Sequence, residues 1–392
     1  MRKLLVLCPY VPFPATHGGS MRSQVLLRAL AAEGELHVAA AVVDEPERAR
    51  LQSMAQQLGV VAHALPARPA VRPWPGAKLA AWLRGRSELL GRRWQAGAAA
   101  AVAALRQSVE PELTVLDSSF VLPLVAGSFA RRLLHLHNLE HAALGSPRGG
   151  FGARLTTAVE RRCMRAAEVA AIAASRCTIT VSAGDRERAL RLAPQANVVT
   201  VPNSIELADT ELLPPPPPGP PRLLFVGSLD YPPNLAAVHE LVHEHLPVLR
   251  AAFPGLVVRL VGRDPNAALA GYRGQQGVEA IGAVDTLVEH YAASHAVYLP
   301  IRQGGGTRIK ILEAWAFGRP VLSTALGAEG LGEGGRHWRR FETATEGLAA
   351  LREVLGGQAA QLVAAARTLV VAEHGHDAAI VALRQHVRTA LS

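Results

Sequence analysis

The sequence predicts an α/β protein of two Rossmann-like domains, each a parallel sheet covered by helices. Three observations carry this. At 392 residues the chain exceeds one ordinary core, and a hydrophobic content of 49% is enough for two. Short apolar runs alternate with longer amphipathic stretches along both halves, the pattern of strands buried on both faces. Between the halves, Pro214 to Pro221 holds seven prolines and Gly219, which can continue neither a helix nor a central strand. The reading is therefore an N-terminal domain over 1–213, a stiff spacer over 214–221, a second domain over 222–370, and a helix over 371–392 that packs back on the first domain.

In the first half the strands are expected at Lys3–Tyr10, Glu35–Val43, Leu113–Asp117, Leu133–His137, Thr178–Ser182 and Val198–Val201. The second half offers Arg222–Gly227, Leu256–Gly262, Glu279–Gly282, Val297–Pro300 and Pro320–Ser323. Helices are expected at Ser20–Glu33, Asn234–Ala252 and Thr307–Phe317. The Met1-Arg2-Lys3 start and its short apolar run stop at Pro9, which suits a buried first strand better than a signal peptide. No apolar stretch reaches the roughly 20 residues of a bilayer span, so the chain reads as soluble. Cys8, Cys163 and Cys177 have neither disulfide nor metal spacing, which suits a reducing cytoplasm. A formal charge of +9 and a pI near 10.1 favour anionic partners.

The segment Gly304-Gly305-Gly306-Thr307-Arg308-Ile309-Lys310-Ile311-Leu312-Glu313 follows a predicted strand and opens a predicted helix. Glycines permit close backbone approach, Thr307 suits a cap, and a helix start presents unpaired amides. Arg308 and Lys310 in a first turn oppose the helix dipole, a sign that an anion such as a diphosphate would reverse. Side chains lean toward the helix start, so Glu313 can reach back and accept hydroxyl hydrogen bonds, as a ribose diol would offer. A plain turn with a solvated basic pair is the alternative. The chain has no Asp-x-Asp sequence, so no metal clamp is predicted and no cofactor is called for; arginine, lysine and backbone amides would neutralise a diphosphate.

At this point the chain resembles the large family 4 of retaining glycosyltransferases, whose GT-B fold sets two Rossmann-like domains face to face across a cleft. The resemblance rests on Pro14–Arg22 (PATHGGSMR), Val201-Pro202-Asn203, Phe225–Asn234 (FVGSLDYPPN), the Gly304–Ala314 segment and Gly318-Arg319-Pro320-Val321. It implies a hexosyltransferase taking a nucleoside-diphosphate sugar, without a metal, and passing the sugar to a glycan, lipid-linked or small-molecule acceptor with retained anomeric configuration. It implies a donor site of Gly18, Gly19, Asn203, Gly227, Ser228, Arg263, Gly304, Gly305, Gly306, Thr307 and Glu313, with Arg308 and Lys310 stabilising the leaving diphosphate. His137 would lie beside the sugar, with Asp117, Asn138 and Glu140 on the acceptor side; a structural role for His137 and a turn role for Asn203 stay open. Two departures stand out. Gly305 occupies the position of the family's sugar-binding glutamate, and Ser228, Leu229, Asp230 and Tyr231 replace its usual arginine and lysine, whose charge Arg308 and Lys310 would supply. Two other readings stay open: a non-catalytic sugar-nucleotide-binding partner and a nucleotide-sugar 2-epimerase of the same fold.

Arg68–Trp94 is basic and carries Trp74, Trp82 and Trp94, a composition that suits the face of an anionic membrane or, equally, a solvated helix with tryptophans turned into the core. The expectation is a cytoplasmic protein, peripheral at the inner membrane face if that stretch binds lipid. No nucleic-acid module accompanies the charge.

Overall fold

The computed structural model describes residues 2–15, 18–69, 75–125, 131–144, 150–207, 211–229, 231–264, 267–304 and 309–392. The chain forms two compact domains, Met1–Asn203 with Asp377–Ser392, and Ser204–His376. The first holds β1 (Lys3–Cys8), β2 (Glu35–Val42), β3 (Val61–Pro66), β4 (Leu113–Asp117), β5 (Arg132–His135), β6 (Cys177–Thr180) and β7 (Val198–Thr200). They lie in the order β3-β2-β1-β4-β5-β6-β7, with every pairing parallel. The second holds β8 (Arg222–Val226), β9 (Val257–Val261), β10 (Val278–Gly282), β11 (Ala296–Leu299), β12 (Val321–Ser323) and β13 (Arg339–Arg340), again all parallel, in the order β10-β9-β8-β11-β12-β13. Strand order reverses between β1 and β4 in one sheet and between β8 and β11 in the other. Those switch points are where α/β sheets open a crevice at the carboxyl ends of their strands.

The central strands are apolar on both faces because helices cover both: Leu4 to Cys8 of β1 are wholly buried, as are Leu223, Leu224 and Phe225 of β8. The apolar start of the chain is thus a central strand. The expected strands are all present, and two more appear. β3 lies at the sheet edge, where the terminal Pro66 is tolerated, and it is only partly buried, so its pattern was weak. β13 is two arginines that no periodicity marks. The helix expected over Asn234–Ala252 is continuous from Pro232 but passes through a π turn at Leu241–His245. Leu246 N donates to Leu241 O there, one turn shape that accommodates Pro247, which has no amide hydrogen to give.

The division of the chain falls away from the proline run. Leu213 N donates to Phe317 O at 3.2 Å, and the buried Arg319 donates from Nη2 to Pro214 O at 2.6 Å and from Nη1 to Leu213 O at 3.4 Å. These bonds bind the start of the run to the second domain. That domain begins at Ser204 and ends at His376, where Ile205 N donates to His374 O at 2.8 Å and His376 N to Ile205 O at 3.1 Å. The chain end splits accordingly: the helix Ala359–Glu373 stays with the second domain, and His376–Leu391 packs on the first.

One further expectation is corrected. The helical run Ala344–Glu373 is long and apolar enough, by length and composition, to cross a membrane. It is broken at Gly357, whose φ is +115°, and it sends Leu351, Val354, Leu362, Ala366 and Val370 into the second domain's core. Such a run is a kinked core-covering helix pair.

In the first domain Leu383, Val387, Ala390 and Leu391 join the core of Leu26, Leu30, Leu36 and Val38. Glu33 accepts from Arg384 Nε at 2.6 Å and Arg388 Nε at 2.8 Å, and Arg131 Nη1 donates to Leu391 O at 2.8 Å, satisfying a terminal carbonyl of the helix. Replacing Leu383, which is 2% exposed, by alanine is expected to cost about 2–5 kcal/mol in urea unfolding of the whole chain.

Candidate functional site

At the switch point of the first domain, β4 ends on Asp117 and the chain after β1 carries Tyr10. The Asp117 carboxylate has no solvent exposure. Its Oδ1 is bound by His135 Nδ1 at 2.8 Å and His137 Nε2 at 2.7 Å, and its Oδ2 accepts from Ser23 Oγ at 2.5 Å. Burial alone would raise this acid, but His137 and His135 outweigh it and hold the carboxyl far below its ordinary range. His135 is driven down to about 3, first by burial and then by the charge of Arg22, so its ring is neutral. Asp117 fixes the tautomer of both rings: each donates the nitrogen facing it. His137 Nδ1 is then left to face Tyr10 OH at 3.3 Å, and Tyr10 OH lies 3.4 Å from Ser23 Oγ. The ring of His137 is held at both nitrogens.

The helix Gly18–Ala31 starts at the predicted glycine pair and supplies Ser23 and Arg22 to this site. Arg22 is 6% exposed and donates from Nη1 to Val201 O at 3.0 Å and to Asn203 Oδ1 at 3.2 Å. Its Nε and Nη2 find no acceptor among the described residues, and burial lowers its pKa to about 10. Asn203 is thus placed in the first domain against Arg22. Glu140 and Asn138 lie just beyond His137. Burial, and then the charge of Glu168, push the Glu140 carboxyl up to about 8, against a hydrogen bond from Asn138. Glu168 itself anchors the turn, accepting from Ser119 Oγ at 2.8 Å and Glu140 N at 2.7 Å.

In the second domain β8 runs into Gly227 and Ser228. Gly227 N donates to Val261 O at 2.9 Å and Leu229 N to Arg263 O at 2.7 Å, laying this loop on the one after β9. The fit leaves no room for side chains: a Cβ on Gly262 would stand 2.0 Å from Gly227 O, and one on Gly227 would stand 2.6 Å from Lys310 Nζ. Lys310 belongs to the helix Ile309–Ala316. Its Nζ donates to Asn234 Oδ1 at 2.9 Å and lies 4.6 Å from the centre of the Phe225 ring. Asn234 Nδ2 in turn donates to Ser228 O at 2.8 Å. Lys310 therefore delivers its charge to the loop after β8.

One turn further along, Glu313 Oε2 accepts from Tyr291 OH at 3.3 Å. Burial raises the Glu313 carboxyl, while Tyr291 and Lys310 pull it back. Arg319 Nε holds Tyr291 O at 2.7 Å, so Gly318-Arg319-Pro320 braces this pair from behind. The loop after β11 is held by Arg302, which donates from Nε to Glu240 Oε1 at 3.0 Å and from Nη1 to Glu342 Oε2 at 2.5 Å. It leads to Gly304, whose φ of +98° favours glycine.

Gly305, Gly306, Thr307 and Arg308 lie outside the described residues, as do Thr16, His17, Arg72, Trp74 and Asp230. Of the remaining predicted residues, the structure brings Gly227, Ser228, Lys310 and Glu313 to the second switch point, and Gly19, Asp117, His137 and Asn203 into the first domain's network. Gly18 heads the helix there, and Arg263 is exposed. The sequence reading missed Cys8, Tyr10, Arg22, Ser23, Tyr291 and the pairing of Asn234 with Lys310.

Asp117, His135 and His137 form the one group among the described residues whose His and carboxylate ligand atoms, within 4.8 Å of one another, could hold a metal ion. In this arrangement the rings' N–H groups already occupy the space between the nitrogens and Asp117 Oδ1, so a metal would have to replace two protons.

Solved structures of the same fold match nearly the whole chain. Sucrose-phosphate synthase from Thermosynechococcus elongatus matches with a TM-score of 0.70 at 18% identity, over 99% of this chain and 98% of that one. HepE of Anabaena in complex with UDP-glucose matches with a TM-score of 0.69 at 13% identity, over 99% and 100%. A TarM variant of S. aureus in complex with fondaparinux, alpha-GlcNAc-glycerol and UDP matches with a TM-score of 0.68 at 9% identity, over all of both chains. No curated protein sequence matches the chain. Two parallel-sheet α/β domains of this kind are the GT-B fold of these structures. Residues 220–355, within the second domain, match the family described as "Glycosyl transferases group 1", a match that marks the chain as a transferase enzyme.

The depressed His135 makes a pH prediction. Its unfolded value is near 6.5 and its folded value about 3, so between them the unfolded state binds more protons and stability rises with pH. From about pH 4 to 6.5, unfolding free energy is expected to climb by up to about 1.4 kcal/mol per unit. In His135→Asn, which can still donate to Asp117 but cannot protonate, urea titrations across this window should lose that slope.

Proposed function

We propose that this glycosyltransferase takes a nucleoside-diphosphate sugar as donor and passes the sugar to an acceptor hydroxyl with retained anomeric configuration, without a metal ion. The carrying observation is Lys310: its ammonium sits at the loop after β8, between Asn234 and the Phe225 ring, where it would neutralise a diphosphate. Gly227 gives a phosphate the close backbone approach it needs, and Glu313, set against Tyr291, offers acceptor oxygens to a ribose diol one turn away. The complexes of HepE with UDP-glucose and of TarM with UDP support a nucleotide-sugar donor, and the glycan ligands of TarM support a glycan acceptor.

The first domain supports retention without a covalent sugar–enzyme intermediate. Asp117 has both oxygens taken and no exposure, so it is no nucleophile. Glu140, raised to about 8, is protonated at neutral pH and is no better. His137 is engaged at both nitrogens, which makes it a fixed positioning group. In the step we propose, the bond from the anomeric carbon to the diphosphate oxygen breaks as the acceptor oxygen bonds to the same face. The acceptor's proton passes to the departing diphosphate. Lys310 stabilises the charge that grows there.

The test is thermal unfolding against a panel of nucleoside diphosphates and their sugar conjugates, followed by transfer assays in EDTA with the product anomer read by NMR. A ligand at 100 times its Kd adds about 2.7 kcal/mol to the native state. Lys310→Gln and Glu313→Gln are each expected to weaken nucleotide binding about tenfold or more, the worth of one charged hydrogen bond. Binding that ignores both changes would overturn the donor site. An inverted product, turnover lost in EDTA, or conversion of the donor to its epimer would overturn the mechanism instead.

A further inference from the structure

Three histidines, His135, His137 and His141, fall at and just beyond the end of β5, and each has a different environment. His135 is sealed: it has no exposure, and its Nε2 is buried without a partner among the described residues. His137 is engaged at both nitrogens, by Asp117 and by Tyr10. His141 is held at one nitrogen only. Its Nδ1 lies 2.5 Å from Glu168 Oε2, and its side chain is 14% exposed. Its Nε2 has no partner among the described residues and, unlike His135 Nε2, is not sealed from solvent. Of the three rings, His141 is the one with a nitrogen left to meet a ligand.

Glu168 makes this arrangement chemically definite. It comes from the helix Phe151–Ala174 and has no exposure. Ser119 Oγ, Glu140 N and His141 N donate to it at 2.8, 2.7 and 3.3 Å. A carboxylate so placed takes only a donor from the imidazole, so Nδ1 carries the ring proton and Nε2 presents its lone pair. The two amide bonds fix the turn, and with it the position of that lone pair. The same turn carries Asn138 and Glu140, both half-buried. Asn138 hydrogen-bonds to the Glu140 carboxyl, which burial keeps protonated at neutral pH. Glu140 lies near enough to Tyr10 to act on it electrostatically, so the turn borders the network around Asp117. An imidazole lone pair, an amide and a protonated carboxyl together supply both acceptors and donors. Neighbouring hydroxyls of a sugar or polyol require that combination.

We propose that His141 Nε2 accepts a hydrogen bond from an acceptor hydroxyl next to the one that receives the sugar, so that the acceptor is a sugar or polyol. The reacting hydroxyl is a different one, because its proton leaves with the diphosphate; the inference rests on the glycosyl-transfer reading to that extent. Glu168 is then a positioning residue, acting through the ring it orients. The test uses the full chain with isotope-labelled histidine, His141 being assigned by its absence from His141→Asn. Long-range proton–nitrogen spectra should place the ring proton on Nδ1. Among a panel of methyl hexosides and glycerol, the probe that serves as acceptor should shift Nε2. Asparagine sets an amide nitrogen near the position of Nδ1, so His141→Asn keeps a donor for Glu168 and removes only Nε2. With the accepted probe, His141→Asn is expected to raise the acceptor KM about tenfold, the worth of one hydrogen bond. Donor KM, nucleotide binding and melting temperature should stay unchanged. His141→Gln, whose amide oxygen falls near Nε2, should recover part of the loss. On the deoxy analogue lacking the bound hydroxyl, wild type and His141→Asn should perform alike. A ring proton on Nε2, an Nε2 resonance that no probe moves, or an acceptor KM indifferent to His141→Asn would overturn the proposal. Nucleotide binding, read separately, decides the donor site, so the two readings fail independently.

Discussion

A carboxylate with no access to water governs the first domain. Asp117 ends a central strand, and an ionised group there survives only if donors meet its lone pairs. The fold brings them from three separate stretches: Ser23 from a helix, His135 from the next strand, His137 from the loop beyond it. Each of these takes its orientation from that need. Tyr10 and Cys8, which face the same carboxylate, are pushed up in pKa by burial and by its charge, and so remain neutral. The result is a polar floor at the switch point with settled tautomers and little freedom to reorganise.

The second domain solves a different problem, that of placing one cation against bare backbone. Gly227 and Gly262 are in contact because neither has a side chain, and Lys310 occupies the space that a Cβ on Gly227 would need. Asn234 holds the ammonium from one side and the loop carbonyl of Ser228 from the other, so cation and loop are positioned by the same amide. A lysine from the helix after β11 thus brings its charge to the loop after β8.

Much of this was legible in the sequence, and the reason is local. Apolar runs mark central strands because both faces are covered, and the spacing of Lys310 and Glu313 places both on one side of a helix start. What was not legible depends on distance along the chain. Lys310 meets Asn234 across 76 residues, and Tyr291 meets Glu313 across 22, so no periodicity joins them. Ser23 and Asp117 are 94 apart and are united only by the strand order. The basic stretch left two readings open. Its composition was right, but composition cannot say which way a tryptophan turns, and Trp82 and Trp94 turned inward while Leu79 and Leu83 stayed out.

The first domain is discontinuous, its last sixteen residues arriving after the whole of the second. Ile205 and the segment around His374 to His376 are hydrogen-bonded neighbours, so the second domain leaves its host beside the point where it enters. During synthesis, residues 2–203 emerge with Leu26, Leu30 and Leu36 lacking the cover of Leu383 and Val387. The inserted domain is closed by its own strands and can complete itself while its host waits. The amino-terminal domain, although first off the ribosome, is therefore the last to be finished, and a chain that stops short of its final turns would leave that host core open while the inserted domain stands whole.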